Sequence, residues 1–136
     1  MTKAHVLRFD TLHTVERGNG VKTTLLVGKE IGASGLTSGL TRFPPGGAIP
    51  LHFHNCPEQV TIIEGDAEVE IAGERSRVGR YDTTYIPAGM PHRFTNAGTG
   101  LLVILWIYGS SDVTRTFVDT GETVAHLSSR DRAANL

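Results

Sequence analysis

The 136-residue sequence is poor in the features that mark several common classes of protein. Its one cysteine, Cys56, excludes an intramolecular disulfide and is compatible with a reducing compartment. The longest apolar run, Leu101 to Tyr108, is far shorter than the roughly 20 residues that a membrane-spanning helix needs. We therefore expect a soluble, cytoplasmic protein that has no membrane partner.

An excess of charge of either sign is also missing. The 13 basic and 14 acidic residues give a formal net charge of -1, so no basic field would attract nucleic acid. The chain also has no helix-turn-helix segment of the kind that DNA-binding regulators carry. Small molecules are therefore the expected partners.

Long helical periodicity is absent too, and glycine and proline separate short β-like runs. Turn signals recur about every eight to twelve residues, which favours an all-β barrel or sandwich formed by a single domain over residues 1–136. The charged tail from Ser128 to Asn135 is compatible with one short helix or with a frayed end. The predicted strands are Glu58 to Ile63, Ala67 to Ile71, Thr83 to Ile86, a strand that begins at His92, and Leu101 to Tyr108.

Two turns are predicted from local chemistry. Gly65-Asp66 suits the positive φ angles of a tight hairpin between the first two predicted strands. Ala72-Gly73-Glu74-Arg75 supplies the next turn. A Pro-Ala-Gly-Met-Pro corner, residues 87–91, precedes His92.

Four side chains have spacings that one metal ion can explain. Residues two apart in a strand face the same way, so His52 and His54 point to one side and Phe53 to the other. Asn55-Cys56-Pro57 interrupts that strand, and Glu58 begins the next. His92 would approach from a strand lying opposite. A single histidine on a strand is commonly a surface or hydrogen-bonded core residue, so the prediction depends on the whole set.

The complete pattern resembles the two motifs of the cupin superfamily. The first motif, G-x5-H-x-H-x3,4-E-x6-G, is matched by Gly46, His52, His54, Glu58 and Gly65. The second, G-x5-P-x-G-x2-H-x3-N, is matched by Pro87, Gly89, His92 and Asn96, with Tyr81 where the leading glycine is expected.

The resemblance implies a small double-stranded β-helix, or jelly-roll barrel, with its core at about residues 40–108. It also implies one divalent transition ion, Fe, Mn, Ni or Zn, held by His52, His54, Glu58 and His92. An octahedral ion would keep about two open positions, whereas a structural zinc is normally closed and favours thiolates. Cupins are commonly dimeric, and the outward face of Leu101 to Tyr108 is the expected homodimer interface.

Three functions are compatible with such a barrel. The first is Lewis-acid chemistry by an isomerase, lyase or decarboxylase on an oxygenated substrate, and the second is an Fe(II) dioxygenase. The third is a non-catalytic small-molecule binder or sensor. A general acid or base would be sought among Tyr108, Tyr85, Arg42 and His126, whose ordinary roles are packing or solvation. Oxalate decarboxylases usually carry an arginine where this chain has Ile49, which weakens the resemblance to that subgroup. The expected apolar lining is Val60, Ile62, Phe94 and Ile104.

Overall fold

The computed structural model describes residues 3–133 and contains twelve β-strands and two short 3-10 turns, Phe9–Thr11 and Lys29–Ile31. No α-helix occurs in this described range. Nor does that range hold a helix long and apolar enough to span a membrane. The strands are β1 (Thr14–Gly18), β2 (Val21–Val27), β3 (Thr37–Phe43), β4 (His52–His54), β5 (Glu58–Glu64), β6 (Ala67–Ile71), β7 (Glu74–Val78), β8 (Thr83–Ile86), β9 (His92–Asn96), β10 (Leu102–Tyr108), β11 (Thr114–Phe117) and β12 (Thr123–Ala125).

The strands form two antiparallel six-stranded sheets that face each other across one core. The first sheet has the order β1-β2-β3-β10-β5-β8, and the second has the order β12-β11-β4-β9-β6-β7. Consecutive strands along the chain therefore often belong to different sheets, as in a jelly roll. The predicted all-β jelly-roll barrel is confirmed.

The predicted hairpin at Gly65-Asp66 is wrong. β5 ends at Glu64 and β6 begins at Ala67, but the two strands lie in different sheets and do not pair. Gly65 has a φ of 90°, and a β-carbon there would lie 2.4 Å from the Leu101 carbonyl oxygen. The glycine is needed because the chain crosses between the sheets against the backbone that leads into β10.

The turn predicted at residues 72–75 is present but shorter: Ala72-Gly73 joins β6 to β7, and Glu74 and Arg75 already belong to β7. Both Ala72 and Gly73 have positive φ, 51° and 84°, as a two-residue hairpin requires. Tyr81, which replaces the glycine of the second motif, also adopts a positive φ of 71°. The fold keeps the left-handed turn at this position although the residue has a side chain.

The barrel core is built from alternate residues of the central strands. On β10, Ile104, Trp106 and Tyr108 are buried, and Leu105 and Ile107 on the opposite face are only half-buried. Gly39 lies directly across from Trp106, and a β-carbon there would lie 2.3 Å from the indole ring. Glycine is therefore the residue that leaves room for the indole. The predicted core residues Val60, Ile62, Phe94 and Ile104 are all buried.

The C-terminal segment is not helical between Ser128 and Ala133, and Ala134 and Asn135 lie outside the described residues. The Asp131 carboxylate accepts a hydrogen bond from the Leu127 amide, and the Ala133 amide donates to the Arg17 carbonyl. These bonds hold the segment against the barrel in an irregular conformation.

Candidate metal centre

Strand β4 delivers two imidazoles to the barrel interior. His52 and His54 are buried on its inner face, and Phe53 between them is half-buried on the outer face. His92, on β9, is the direct cross-strand partner of His52. It therefore comes from the neighbouring strand and not from an opposite one. Glu58, the first residue of β5, is contributed by the facing sheet.

Each imidazole is oriented by a backbone carbonyl. The Nδ1 atoms of His52, His54 and His92 lie 2.6, 3.0 and 2.9 Å from the carbonyl oxygens of Pro50, Thr114 and Met90 respectively. Because a carbonyl oxygen can only accept, each Nδ1 carries a proton, and in a neutral ring the lone pair is then on Nε2. Metal-ligating histidines are commonly oriented in this way.

The three histidines bring one ring nitrogen each to the same region of the barrel. One ring nitrogen from each histidine lies within 4.8 Å of the others. Two nitrogen ligands of one ion are at most about 4.2 Å apart, twice the usual metal-nitrogen distance, so the cluster is close to coordinating geometry. Glu58 Oε1 lies 3.0 Å from His92 Nε2 and 3.8 Å from His54 Nε2.

Two of these atoms provide a test of whether a cation fits. Glu58 Oε1 and His92 Nε2 are buried, and neither makes a hydrogen bond. Buried polar atoms are normally satisfied, so an unpartnered carboxylate oxygen beside an unpartnered imidazole nitrogen calls for an additional group. A divalent cation would satisfy both atoms, so the residues present fit the metal that the motifs imply.

The electrostatics keep the cluster in its ligating protonation state. Burial, assisted by the charge of Arg115, lowers the pKa of His52 well below its usual value, and burial lowers that of His54 to about 3. Burial alone would raise the pKa of Glu58, but its contact with His92 and the surrounding positive groups lower it overall. At neutral pH the site therefore holds neutral His52 and His54 beside an ionised carboxylate.

Sequence reasoning missed a buried ion-pair group next to this cluster. Arg115 on β11 is 2 % exposed, and its Nη1 donates a 2.7 Å hydrogen bond to His52 Nε2. Its Nε lies 2.8 Å from Asp131 Oδ1, which also pairs at 2.8 Å with Nη2 of the buried Arg17. The negative Asp131 therefore compensates part of the positive charge that the two guanidinium groups bring into the barrel.

A small cavity of about 30 Å³ adjoins the cluster. Tyr108 and His126 line it, and Tyr108 Oη donates a 3.3 Å hydrogen bond to His54 Nε2. Burial raises the pKa of Tyr108 well above its usual value, so the phenol keeps its proton. Burial lowers the pKa of His126 to about 3. An open cleft of about 630 Å³ lies elsewhere, and none of the three clustered histidines lines it.

Two sequence candidates for catalysis lie away from the cluster. Tyr85, on β8, is 71 % exposed. The Arg42 guanidinium group donates a hydrogen bond to the Thr24 hydroxyl and lies over the ring of Phe9. Neither lines the cavity beside the histidines, whereas Tyr108 and His126 do. Cys56 is buried, and burial raises the pKa of its thiol to about 11, so it is not poised to react.

The expected lining of the cavity is present in part. Phe94 and Ile104 line it, whereas Val60 and Ile62 are core residues that do not reach it. Ile49 also lines the cavity, so its apolar side chain stands where the oxalate decarboxylase resemblance would place an arginine. The cavity wall is apolar on this side and charged on the side of Arg115.

The family model for the cupin domain matches residues 39–108, which hold all four predicted ligands. The chain belongs to the cupin family. Arg17, Arg115 and Asp131 all lie outside the matched segment. No local motif points to them, because Arg17 and Arg115 reach the cavity through the pairing of strands that are distant in sequence, and Asp131 reaches both through the irregular segment after β12.

Comparisons with individual proteins agree with the family. The polyketide synthase protein CurC of Streptomyces cyaneus is 36% identical over 84 residues, which are 61% of this chain and 54% of CurC. Oxalate decarboxylase OxdC of Bacillus subtilis is 31% identical over 133 residues, which are 93% of this chain and 34% of OxdC. The chain thus spans about half the length of the first relative and a third of the second.

A solved structure extends the match in fold. The polyketide cyclase RemF of Streptomyces resistomycificus superposes with a TM-score of 0.72, covering 96% of this chain and 91% of RemF at 19% identity. At that identity the likeness concerns the fold alone. The function must be argued from the site.

Proposed function

We propose that this protein is a metal-dependent enzyme that acts on a small oxygenated substrate, with one divalent cation held by His52, His54, His92 and Glu58. The observation that carries the proposal is the cluster of three buried histidines, with one ring nitrogen of each within 4.8 Å of the others, beside the unpartnered Glu58 Oε1. Such an ion supplies a Lewis acid that polarises a substrate oxygen. Fe, Mn, Ni and Zn are all compatible with imidazole and carboxylate ligands.

Tyr108 is the proposed proton donor. Its hydroxyl faces the cluster, and its raised pKa keeps it protonated at neutral pH. It can therefore donate a hydrogen bond or a proton to a substrate oxygen on which negative charge develops. Trp106 and His126 pack against the Tyr108 ring at centroid distances of 5.1 and 5.0 Å, which limits the movement of the phenol.

The relatives suggest the kind of reaction. OxdC is named for decarboxylation of oxalate, and CurC belongs to a polyketide synthase. Both names are compatible with an isomerase, lyase or decarboxylase acting on an oxygen-rich compound, which is the chemistry we favour here. The alternative enzyme, an Fe(II) dioxygenase, would use the same ligands and fewer other side chains. Metal analysis must distinguish it from the Lewis-acid enzyme.

One observation favours a non-catalytic alternative. The cavity of about 30 Å³ has room for about two or three water-sized groups, since a water molecule needs about 10–15 Å³ of such space. A site of this size suits retention of a small ligand as well as turnover. A sensor would keep such a ligand through purification and release it unchanged on denaturation.

The proposal is tested by elemental analysis of protein purified without added metal, followed by aerobic and anaerobic screening of small keto, hydroxy and carboxylic acids. Near-stoichiometric metal with oxygen-independent turnover is the expected result. Iron with oxygen consumption would select the dioxygenase. A ligand retained without turnover would select the sensor, and a metal-free protein that takes up no added divalent ion would refute the proposal.

A further inference from the structure

Arg115 is placed where it must respond to a metal ion. It is the cross-strand partner of His54 on β11, so its side chain points to the same face of the second sheet as the ligands. Its Nη1 donates to His52 Nε2 at 2.7 Å. A metal bound by His52 would need this same Nε2 lone pair, because His52 Nδ1 is hydrogen-bonded to the Pro50 carbonyl oxygen.

One nitrogen lone pair cannot accept a hydrogen bond and ligate an ion together. Loading the site therefore releases Arg115 Nη1 from His52, while Nε keeps its ion pair with Asp131. The released Nη1 lies beside the ion's position, and a buried guanidinium nitrogen that loses an acceptor is costly. The remaining side-chain partners of Arg115 are Asp131 and Tyr108, so the loaded site offers a hydrogen-bond donor that a new acceptor can use.

The balance of charge points the same way. The buried ionised groups around the cavity are two carboxylates, Glu58 and Asp131, and two guanidinium groups, Arg17 and Arg115, which sum to zero. A divalent ion would bring two uncompensated positive charges into the barrel. An anionic ligand would offset part of that charge, which the buried surroundings solvate poorly.

The available space limits what this anion can be. A volume of about 30 Å³ admits a group of few atoms. A carboxylate is small and planar, and its two oxygens match the planar fork of a guanidinium group. One carboxylate can thus satisfy both an ion and Arg115.

Resting on the proposed function, we propose that Arg115 is a substrate-binding residue that exchanges His52 for a small carboxylate when the metal is loaded. The carboxylate is held between the ion and Arg115 Nη1. Arg17 and Asp131 are positioning residues, because Asp131 Oδ1 pairs with both guanidinium groups and fixes where Arg115 points. The substrate class is therefore a small carboxylic acid in its ionised form.

The test uses the Co(II)-loaded protein, whose visible absorption bands report ligands entering the metal's coordination sphere. Sodium formate is titrated at constant ionic strength kept with sodium perchlorate. The wild type should show a saturable spectral change. Arg115→Met should weaken formate binding by about tenfold to a hundredfold, the loss expected for one charged hydrogen bond, while keeping or raising Co(II) affinity. Arg42→Met is the matched control, because Arg42 is a partly buried arginine outside the cavity, and it should behave as the wild type.

A second measurement needs no variant. By linkage, formate must raise the Co(II) affinity of the wild type by the same factor by which Co(II) raises formate affinity, as measured in competition with a chelator. If Arg115→Met does not fold, this linkage is measured together with Arg115→Lys. That variant keeps the charge but loses the planar fork, and it should bind formate more weakly than the wild type. Equal formate affinity in Arg115→Met and Arg42→Met, or Co(II) binding without any formate effect, would overturn the inference alone. Failure to bind Co(II) would overturn the proposed function.

Discussion

His52 and His92 are direct partners across the neighbouring antiparallel strands β4 and β9, and their ring centroids lie 4.5 Å apart. The pairing register alone thus brings together two residues that are forty positions apart in the sequence. Because side chains alternate between faces, a slip of one residue would turn His92 away from the cavity. The cluster is therefore a product of strand pairing and not of a flexible loop.

Replacing His54 by alanine is expected to abolish tight metal binding while the barrel stays folded. One of three converging nitrogens is lost, whereas the cost to the fold is about 1–3 kcal/mol, because the Thr114 carbonyl and the Tyr108 hydroxyl lose their partner. Metal content by elemental analysis and chemical denaturation measure the two effects. His5→Ala, at an exposed position, is the control that should keep the metal. A soluble but unfolded His54→Ala variant would indicate a structural site.

Replacing Tyr108 by phenylalanine is expected to lower kcat by about 10²–10⁴-fold if Tyr108 is the proton donor, with metal content unchanged. The ring remains, so its packing against Trp106 and His126 is kept. Steady-state kinetics on the substrate found by screening measure the effect. Tyr85→Phe, at an exposed tyrosine, should leave kcat unchanged, and equal rates in both variants would remove Tyr108 from the mechanism.

Replacing Asp131 by asparagine is expected to destabilise the fold by about 3–5 kcal/mol, because two buried guanidinium groups lose their carboxylate. Urea denaturation measures the change. Asp112→Asn, which removes the exposed ion pair with Lys29, should cost about 0–1 kcal/mol. A difference of less than about 1 kcal/mol between the two variants would show that the buried ion pairs are not stabilising.

The same carboxylate predicts an acid dependence of stability. Burial would raise the pKa of Asp131, but Arg115 and Arg17 lower it overall, from 3.8 to about 2. A depressed carboxyl pKa contributes stability that is fully present above pH 3.8 and is lost as the pH falls through 2. Wild-type protein should therefore lose stability across this window, and Asp131→Asn should lack this component. Parallel pH profiles of the two proteins would contradict the assignment.

Protonation of His126 should lower the stability of the fold at a higher pH than protonation of Asp131 does. Burial lowers its pKa from 6.5 to about 3, so the unfolded chain binds a proton between these values while the folded chain does not. Stability due to this group is present above pH 6.5 and declines as the pH falls toward 3, by at most about 1.4 kcal/mol per pH unit. Denaturation at pH 7 and pH 4.5 measures the loss. It should be smaller in His126→Gln, and an equal loss would contradict the prediction.

The half-buried outer face of β10 predicts a homodimer. Leu105 and Ile107 lie on this face, and Leu105 is directly paired with Leu40 of β3. Light scattering at micromolar concentration should give twice the 14.7 kDa chain mass. Ile107→Glu should shift the protein to monomer, whereas Val118→Glu, at an exposed position outside this face, should not. A monomeric wild type would refute the interface.

The sequence predicted the features that depend on local periodicity. The two-residue repeat of a strand predicted that His52 and His54 share a face, and the spacing of the two motifs predicted that His92 would lie near them. Glu58 Oε1 lies 3.0 Å from His92 Nε2, and the role of all four as ligands of one ion stays a prediction. The positive φ of Tyr81 was not predicted, because a residue with a side chain rarely adopts it. The motif position has a backbone conformation that glycine usually supplies.

The sequence did not predict the features that depend on which strand pairs with which. Gly65-Asp66 has the composition of a hairpin, but local φ preference does not choose a partner strand, and the chain crosses to the other sheet there. Arg115 reads as a solvated residue of a short polar strand. Only its pairing with His54, and the return of Asp131 to the barrel, bury it beside the cluster.

Anomalous diffraction from crystals grown with Zn(II) decides whether the imidazoles and Glu58 share one ion. We expect one strong peak about 2.0–2.2 Å from Nε2 of His52, His54 and His92 and from a Glu58 carboxylate oxygen, with the Arg115 hydrogen bond to His52 broken. A cavity without a zinc peak would refute the shared site. So would zinc bound fully at another position while the Arg115 to His52 hydrogen bond is still present.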